Sequence, residues 1–145
     1  MIYFDATFLL RLYLEENGAI RVRSLASSIS VIRSSILAKV ETESAMHRHF
    51  REGKINFKAL EQANGQFEYD QKEGMLEWLP LTTSVIESVH LAYLQLPATT
   101  FLRTGDAIHL ATASEAGFKE IYSHDKHLLA AAPLFKLKGI NPLAK

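Results

Sequence analysis

Aspartate is the residue type whose positions first suggest chemistry in this sequence. Three of its four aspartates lie at the ends of predicted elements: Asp5 ends a strand, Asp125 follows one, and Asp106 opens a helix. Burying a carboxylate beside apolar residues is costly unless a partner or a cation compensates its charge. Aspartate is also a favoured helix N-cap, so any one of the three taken alone is more often only a cap. Their joint placement favours a shared site.

A fourth acid is expected on the long helix predicted from the text "SILAKVETESAMHRHFREG". Glu41 and Glu43 lie on different faces of that helix, and their spacing alone leaves both open. A solvated glutamate is the usual case on any helix. The sequence pattern therefore does not choose between them.

Converging carboxylates repel one another and need a cation. Oxygen-only ligands suit the hard ions Mg²⁺ and Mn²⁺, which keep positions for water and for substrate phosphate. Two such ions, about 4 Å apart, activate water and stabilise the leaving oxygen in a phosphodiester displacement. The acids therefore indicate phosphodiester hydrolysis.

The elements that must position these acids alternate along the chain. Predicted strands include "IYF", "ISVIRSS", "GMLEWLPL", "KEIYS" and an edge strand in "KLKGINPLAK". Predicted helices lie between them, the first being "TFLLRLYLEENG", closed by Asn17 and Gly18. Parallel strands need such helical crossovers, so the order predicts an α/β fold with a mainly parallel sheet. Ligands bind at the carboxyl edge of such sheets.

Composition narrows the class of protein. The 145 residues suit one domain, and sixteen basic and sixteen acidic residues give no net charge that would indicate a nucleic-acid or membrane partner. The absence of cysteine excludes disulfides and thiolate metal sites. The sequence has no apolar run of about 20 residues and no basic region before its first apolar stretch. We therefore expect no secretory signal and a cytoplasmic protein.

Four blocks of the sequence resemble the PIN domain, and more closely the VapC-type toxin ribonucleases of type II toxin–antitoxin pairs. They are "MIYFDAT", "SSILAKVE", "LRTGDAIHLATA" and "YSHDKHLL", and they occur in the family's order. The resemblance implies a three-layer α/β/α fold with residues 1–145 forming a single nuclease domain. The third block is the most distinctive of the four.

The resemblance also assigns the site residues. It implies that four acids are both catalytic and metal-binding: Asp5, Glu41, Asp106 and Asp125. Glu41 is preferred over Glu43 because it lies four residues after a leucine, as in the family's pattern. Ala6 and Gly105 depart from the family's usual residues without removing a metal ligand, and Thr7 and Ser123 match polar positions beside the acids.

The implied activity is that of a Mg²⁺- or Mn²⁺-dependent endoribonuclease. In this family metal-activated water hydrolyses RNA, which leaves 5′-phosphate and 3′-hydroxyl ends. Family members commonly form homodimers and are held inactive by a cognate VapB-like antitoxin. A homodimer and such an antitoxin are therefore expected partners here.

Other interpretations stay open from the sequence. The alternative function is a catalytically silent PIN-like module that binds RNA or protein, and an unrelated α/β domain with a phosphoacceptor Asp carries little weight. His109 is interpreted as a packed helix residue. Phosphate contact and a solvated surface charge are equally good interpretations of five basic residues: Arg11, Arg33, Lys39, Arg103 and Lys126.

Overall fold

The structure, a computed structural model, describes residues 1–143. Within them strands and helices alternate as predicted, with a short 3-10 turn at Ala132–Phe135. The strands are β1 (Ile2–Tyr3), β2 (Ile32–Ser35), β3 (Leu76–Leu79), β4 (Glu120–Tyr122) and β5 (Lys138–Ile140). The helices are α1 (Ala6–Arg11), α2 (Ala19–Ser27), α3 (Leu37–Arg51), α4 (Phe57–Lys72), α5 (Thr83–Gln95), α6 (Thr104–Glu115) and α7 (Lys126–Ala131).

All strand pairs in the described residues are parallel, which confirms the predicted α/β fold. β1 pairs with β2 and β2 with β3, while β4 pairs with β5. A parallel bridge between Phe4 and Tyr122 joins the two groups, and the Asp5 amide donates to the Tyr122 carbonyl at 3.1 Å. The strand order is therefore β3-β2-β1-β4-β5, with β1 in the centre. Parallel strands place all their carboxyl ends at one edge.

Two apolar clusters cover the two faces of the sheet and make the fold three-layered. Side chains alternate between the two faces along this extended segment, so Tyr3 of β1 lies in one cluster and Phe4, the next residue, lies in the other. The Tyr3 cluster includes side chains of α5, α6 and α7. The Phe4 cluster includes side chains of α1, α2, α3 and α4. The predicted α/β/α layering is confirmed.

The first helix is shorter than its sequence pattern predicts. It ends at Arg11, not at Asn17, and the Arg11 side chain binds the segment that follows. Its Nε donates to the Asn17 carbonyl at 2.9 Å and one terminal nitrogen donates to the Thr7 carbonyl at 2.7 Å. Gly18 has a φ of 84° and precedes α2, so the break at Asn17 and Gly18 separates the loop from the second helix.

The C-terminal segment contains the last strand of the sheet. The predicted edge strand is confirmed over Lys138–Ile140, and the last two residues of the predicted segment, 144 and 145, lie outside the described residues. In residues 1–143, every helix is too short or too polar to cross a membrane.

Candidate functional site

The four predicted acids line one cavity of about 440 Å³ at the carboxyl edge of the sheet. Asp5 follows β1, Glu41 lies on α3, Asp106 is in the first turn of α6, and Asp125 precedes α7. Glu43 points elsewhere: its carboxylate lies 3.4 Å from the Lys39 ammonium, and both line a different cavity. The fold thus separates the two glutamates that spacing left open.

Asp5 is a helix cap and a cavity residue at once. Its Oδ1 accepts from the Thr7 hydroxyl at 2.6 Å and from the Phe8 amide at 3.2 Å, and its Oδ2 accepts from the Ser123 hydroxyl at 2.6 Å. Burial raises the pKa of the Asp5 carboxyl, and these hydrogen bonds offset only part of that rise. Asp5 therefore both caps α1 and lines the cavity.

Two hydroxyl groups connect Asp5 to the strand end that carries Asp125. The Ser123 hydroxyl, which donates to Asp5, accepts from the Asp125 amide at 2.9 Å. The Thr7 hydroxyl, which also donates to Asp5, accepts from the His124 amide at 3.1 Å. Asp125 in turn caps α7, with Oδ1 accepting from the amides of His127 and Leu128. The ends of β1 and β4 are therefore held in register by side chains.

Arg103 lies between two of the acids. Its Nε donates to Asp106 Oδ2 at 3.3 Å, and a terminal nitrogen donates to Asp125 Oδ2. Partial burial and the charge of Asp125 raise the pKa of Asp106, and Arg103 offsets part of the rise. The two carboxylates in turn raise the pKa of Arg103, which stays a cation. The sequence interpretation of Arg103 as a phosphate contact did not include this ion pair.

His109 is a cavity residue that the sequence interpretation missed. Its side chain is packed, as expected, with 2% exposure, yet its Nε2 lies 2.6 Å from Glu41 Oε1. The spacing of three residues from Asp106 places both on one face of α6, and this signal was present in the sequence. Gly105 borders the same carboxylate, since a Cβ there would lie 3.2 Å from Glu41 Oε2.

The donor set fits a hard divalent cation in type. Four carboxylates with hydroxyl support offer the oxygen ligands that Mg²⁺ and Mn²⁺ take. In residues 1–143, however, no three side chains are gathered closely enough to surround a metal ion. Because Arg103 bridges Asp106 and Asp125, its guanidinium must turn away before those carboxylates can share a cation.

A second cavity of about 440 Å³ opens beside the acids and is mainly basic. The two cavities share five lining residues: Thr7, Leu10, Arg48, Arg103 and Asp125. The second one is also lined by Arg11, His124, Lys126 and His127. Among the sequence candidates for phosphate contact, Arg33 and Lys39 lie elsewhere and pair with Glu77 and Glu43. Arg48 was not among those candidates.

The fold and cavity together define a class of protein: a parallel α/β/α domain with a cluster of carboxylates at the carboxyl edge of its sheet. Residues 2–133 match the PIN domain family, and the chain belongs to that family. No curated protein shows a significant sequence match to the chain. The predicted family is confirmed.

Three solved structures share this fold over most of the chain. VapC20 from Mycobacterium tuberculosis, described as a sarcin-ricin loop cleaving toxin, has a TM-score of 0.70 at 18% identity over 90% of this chain and 95% of that one. VapBC2 from Rickettsia felis, bound to a DNA fragment from its promoter, has a TM-score of 0.65 at 14% identity over 97% and 98%. FitAB bound to an IR36 DNA fragment has a TM-score of 0.72 at 16% identity, over 100% of this chain and 97% of that one. At these identities the likeness is one of fold.

Proposed function

We propose that this protein is a metal-dependent endoribonuclease and the toxin of a VapBC-type toxin–antitoxin pair. The observation that carries the proposal is the convergence of four carboxylates, from four separate elements, in one cavity of a PIN domain. PIN nucleases generally use divalent metal ions. The structural neighbour that cleaves the sarcin-ricin loop supports RNA as the substrate class.

Each group near the cavity has a role in this proposal. Asp5, Glu41, Asp106 and Asp125 are the ligands for Mg²⁺ or Mn²⁺. When bound, the cation supplies an activated water and neutralises charge on the phosphate. Thr7 and Ser123 hold the Asp5 carboxylate in place, so this one ligand is oriented before the cation arrives.

The basic residues beside the acids contact the RNA backbone. Arg48 and Lys126 are exposed and line the cavity next to the acidic one. Arg103 changes partner, leaving the two aspartates for a phosphate group when a cation binds. Guanidinium groups suit both partners, because carboxylate and phosphate present similar pairs of oxygens.

The proposed partners follow from the neighbours. The VapBC2 assembly supports a cognate VapB-like antitoxin for this chain. We also propose that residues 1–145 act as one nuclease domain, that the protein forms a homodimer, and that it acts in the cytoplasm, where its RNA target would be found.

RNA cleavage by the purified chain tests the proposal. Structured tRNA and rRNA fragments are incubated with Mg²⁺ or Mn²⁺, and with EDTA as the metal-free control. We expect cleavage only with metal, products with 5′-phosphate ends, and a loss of rate of at least about 100-fold in Glu41→Gln. Glu43→Gln is the matched control on the same helix and should cleave normally. Cleavage that persists in EDTA, or no cleavage of any RNA with metal, would contradict the proposal.

A catalytically silent binding module is the second candidate, and one observation favours it. Arg103 already offsets one of the two negative charges of Asp106 and Asp125, so this pair depends less on a cation for charge balance. Calorimetric titration with Mn²⁺ separates the two candidates. The nuclease should bind the ion with carboxylate-dependent affinity, whereas a silent module should remain folded and bind none.

A further inference from the structure

A buried chain of hydrogen bonds runs from the sheet to the acidic cavity. The Ser35 amide, at the end of β2, donates to the Tyr3 hydroxyl oxygen at 3.0 Å. The same oxygen lies 2.7 Å from His109 Nδ1, and His109 Nε2 lies 2.6 Å from Glu41 Oε1. Tyr3, Ser35 and His109 are all buried. These hydrogen bonds therefore connect the strands β1 and β2 to the helices α6 and α3.

The chemistry of the donors gives this chain a direction. A backbone amide can only donate, so the Tyr3 oxygen accepts from Ser35. The Tyr3 hydroxyl proton is then available to Nδ1 of the neighbouring imidazole. An imidazole that accepts at Nδ1 carries its proton at Nε2, which is the atom facing the Glu41 carboxylate. With a neutral imidazole, this arrangement satisfies every donor and acceptor from the Ser35 amide to the Glu41 carboxylate.

Glu41, at the end of this row of hydrogen bonds, is the residue whose side chain needs a fixed partner. Its side chain is 35% exposed, so without a fixed partner it would sample several rotamers at an entropic cost to any ligand that orders it. With Oε1 held by His109, the other oxygen, Oε2, lies beside Gly105 at the cavity wall. The bond thus selects which carboxylate oxygen stays available.

We propose that His109 is a positioning residue for the nuclease site, and that the Tyr3 hydroxyl fixes the imidazole tautomer that lets it hold Glu41. This inference rests on the proposed function, because the role of Glu41 is to bind the divalent cation. Partners that orient a metal ligand typically change metal affinity by about 10- to 100-fold when removed.

Two amide variants of His109 test the positioning role. Glutamine places its amide nitrogen near the position of imidazole Nε2 and can donate to Glu41, whereas asparagine is too short to do so. Calorimetry with Mn²⁺ should show affinity about 10- to 100-fold weaker in His109→Asn and largely restored in His109→Gln. Thermal unfolding without metal checks that both variants are folded.

Nitrogen NMR of the imidazole supplies a readout that does not depend on metal or activity. In the wild-type chain His109 should be the Nε2–H tautomer, and in Tyr3→Phe it should become a mixture of tautomers. Tyr3→Phe keeps the aromatic ring that packs edge-on against the imidazole, at a centroid distance of 5.9 Å. It therefore removes the hydroxyl with little change in packing.

The outcomes distinguish this inference from the proposed function. If the wild-type chain binds no Mn²⁺, the proposed function fails, and the role of His109 toward a metal ligand fails with it. If the wild-type chain binds Mn²⁺ but His109→Asn and His109→Gln are equally impaired or equally unaffected, only the positioning role is overturned. An Nδ1–H tautomer in the wild-type chain also overturns it, whatever the metal affinity.

Discussion

At the scale of single residues, the ionised carboxylate of Asp106 lowers the stability of the metal-free fold at the position where the proposed function needs a metal ligand. Its carboxylate is partly buried, faces the charge of Asp125, and is only partly compensated by Arg103. Arg103 is more than half exposed, so solvent screens its contribution. A residue in this position weakens the metal-free fold and becomes favourable only when a cation binds.

We predict that Asp106→Asn stabilises the metal-free protein by about 0.5 to 1 kcal/mol at pH 7. Because the pKa of Asp106 is raised in the folded state, its ionised form favours unfolding. That cost is present above the folded-state pKa and vanishes once pH falls below the unfolded value. Urea unfolding at pH 7 and at about pH 3 checks this, since the variant and wild type should converge at the lower pH.

The same variant should also lose the stabilisation that metal gives. Mn²⁺ should raise the melting temperature of the wild-type chain and leave that of Asp106→Asn nearly unchanged. Glu43→Gln, outside the cavity, should respond to Mn²⁺ like wild type. A lower metal-free stability for Asp106→Asn would show that the Arg103 pair outweighs the burial cost.

Gly105 gives a second prediction at this scale, because it faces the carboxylate of Glu41. A Cβ at this position would lie 3.2 Å from Glu41 Oε2, which a side chain that is one-third exposed can relieve by a small rotation. Gly105→Ala should therefore stabilise α6 by up to about 0.5 kcal/mol and change Mn²⁺ affinity less than about threefold. Gly105→Val adds two methyl groups there and should weaken Mn²⁺ binding at least about tenfold.

Thermal unfolding and calorimetry on the two Gly105 variants measure the effects together. The comparison is informative because both variants remove the backbone freedom of glycine, while only valine has the bulk to displace Glu41. Equal losses of affinity in the two would mean that the backbone at Gly105 is what the site requires.

At the scale of elements, the junctions between strands and helices determine the site. Asp5 caps α1 and Asp125 caps α7. The Ser123 hydroxyl links these two junctions, because it donates to the Asp5 carboxylate and accepts from the Asp125 amide. The capping preference of aspartate thus places carboxylates at the strand ends, and the parallel sheet brings those ends together.

Ser123→Ala should act on both stability and metal binding. Removing the hydroxyl leaves a buried Asp5 oxygen and the Asp125 amide short of a partner, which should cost about 1 to 3 kcal/mol of unfolding free energy. The bond from Ser123 lowers the pKa of Asp5, so its loss raises that pKa further. Protons should then compete with Mn²⁺ up to a higher pH than in wild type.

Urea unfolding and Mn²⁺ titrations at several pH values check this prediction. Ser114→Ala is the matched control, because the Ser114 hydroxyl also donates one hydrogen bond, to the Phe135 carbonyl at 2.9 Å, but lines neither cavity of the candidate site. It should lose stability without moving the pH dependence of metal binding. A pH dependence unchanged in Ser123→Ala would contradict the role of the Ser123 bond.

The elements themselves were largely predictable, and their limits were less so. Local sequence patterns predicted the long helix α3 and the parallel strands, because each of these signals lies within one short segment. The predicted end of α1 was wrong. The helix ends at Arg11, whose side chain donates to the Asn17 carbonyl, and hydrophobic periodicity carries no information about such a contact. Likewise the choice between Glu41 and Glu43 depends on how α3 packs against α1 and β2.

His109 illustrates the same limit within the site. Its partners Tyr3 and Glu41 are 106 and 68 residues away in sequence, and only the folded sheet brings them together. The spacing from Asp106 indicated a shared face but not which buried groups would meet there. Sequence reasoning could therefore propose the acids, whose type carries the chemistry, but not the histidine, whose role depends on its neighbours.

At the scale of the whole molecule, a net charge of zero conceals a local separation of charge. The acidic cavity and the mainly basic cavity share a wall, and its charged residues are Arg48, Arg103 and Asp125. A polyanion approaching the acids alone would be repelled, so the neighbouring basic residues are what make contact with RNA favourable. Total charge therefore carries little information about the partner of this chain.

Arg48→Ala and Lys126→Ala test this separation through the salt dependence of RNA binding. Each removed phosphate contact on a single strand should reduce the slope of log affinity against log salt by about 0.7. Fluorescence anisotropy with a labelled single-stranded RNA in EDTA measures binding without cleavage. Lys58→Ala, which removes an exposed lysine on α4, should leave the slope unchanged. An equal slope for all three variants would place the RNA path away from the basic cavity, even if the acids proved essential for cleavage.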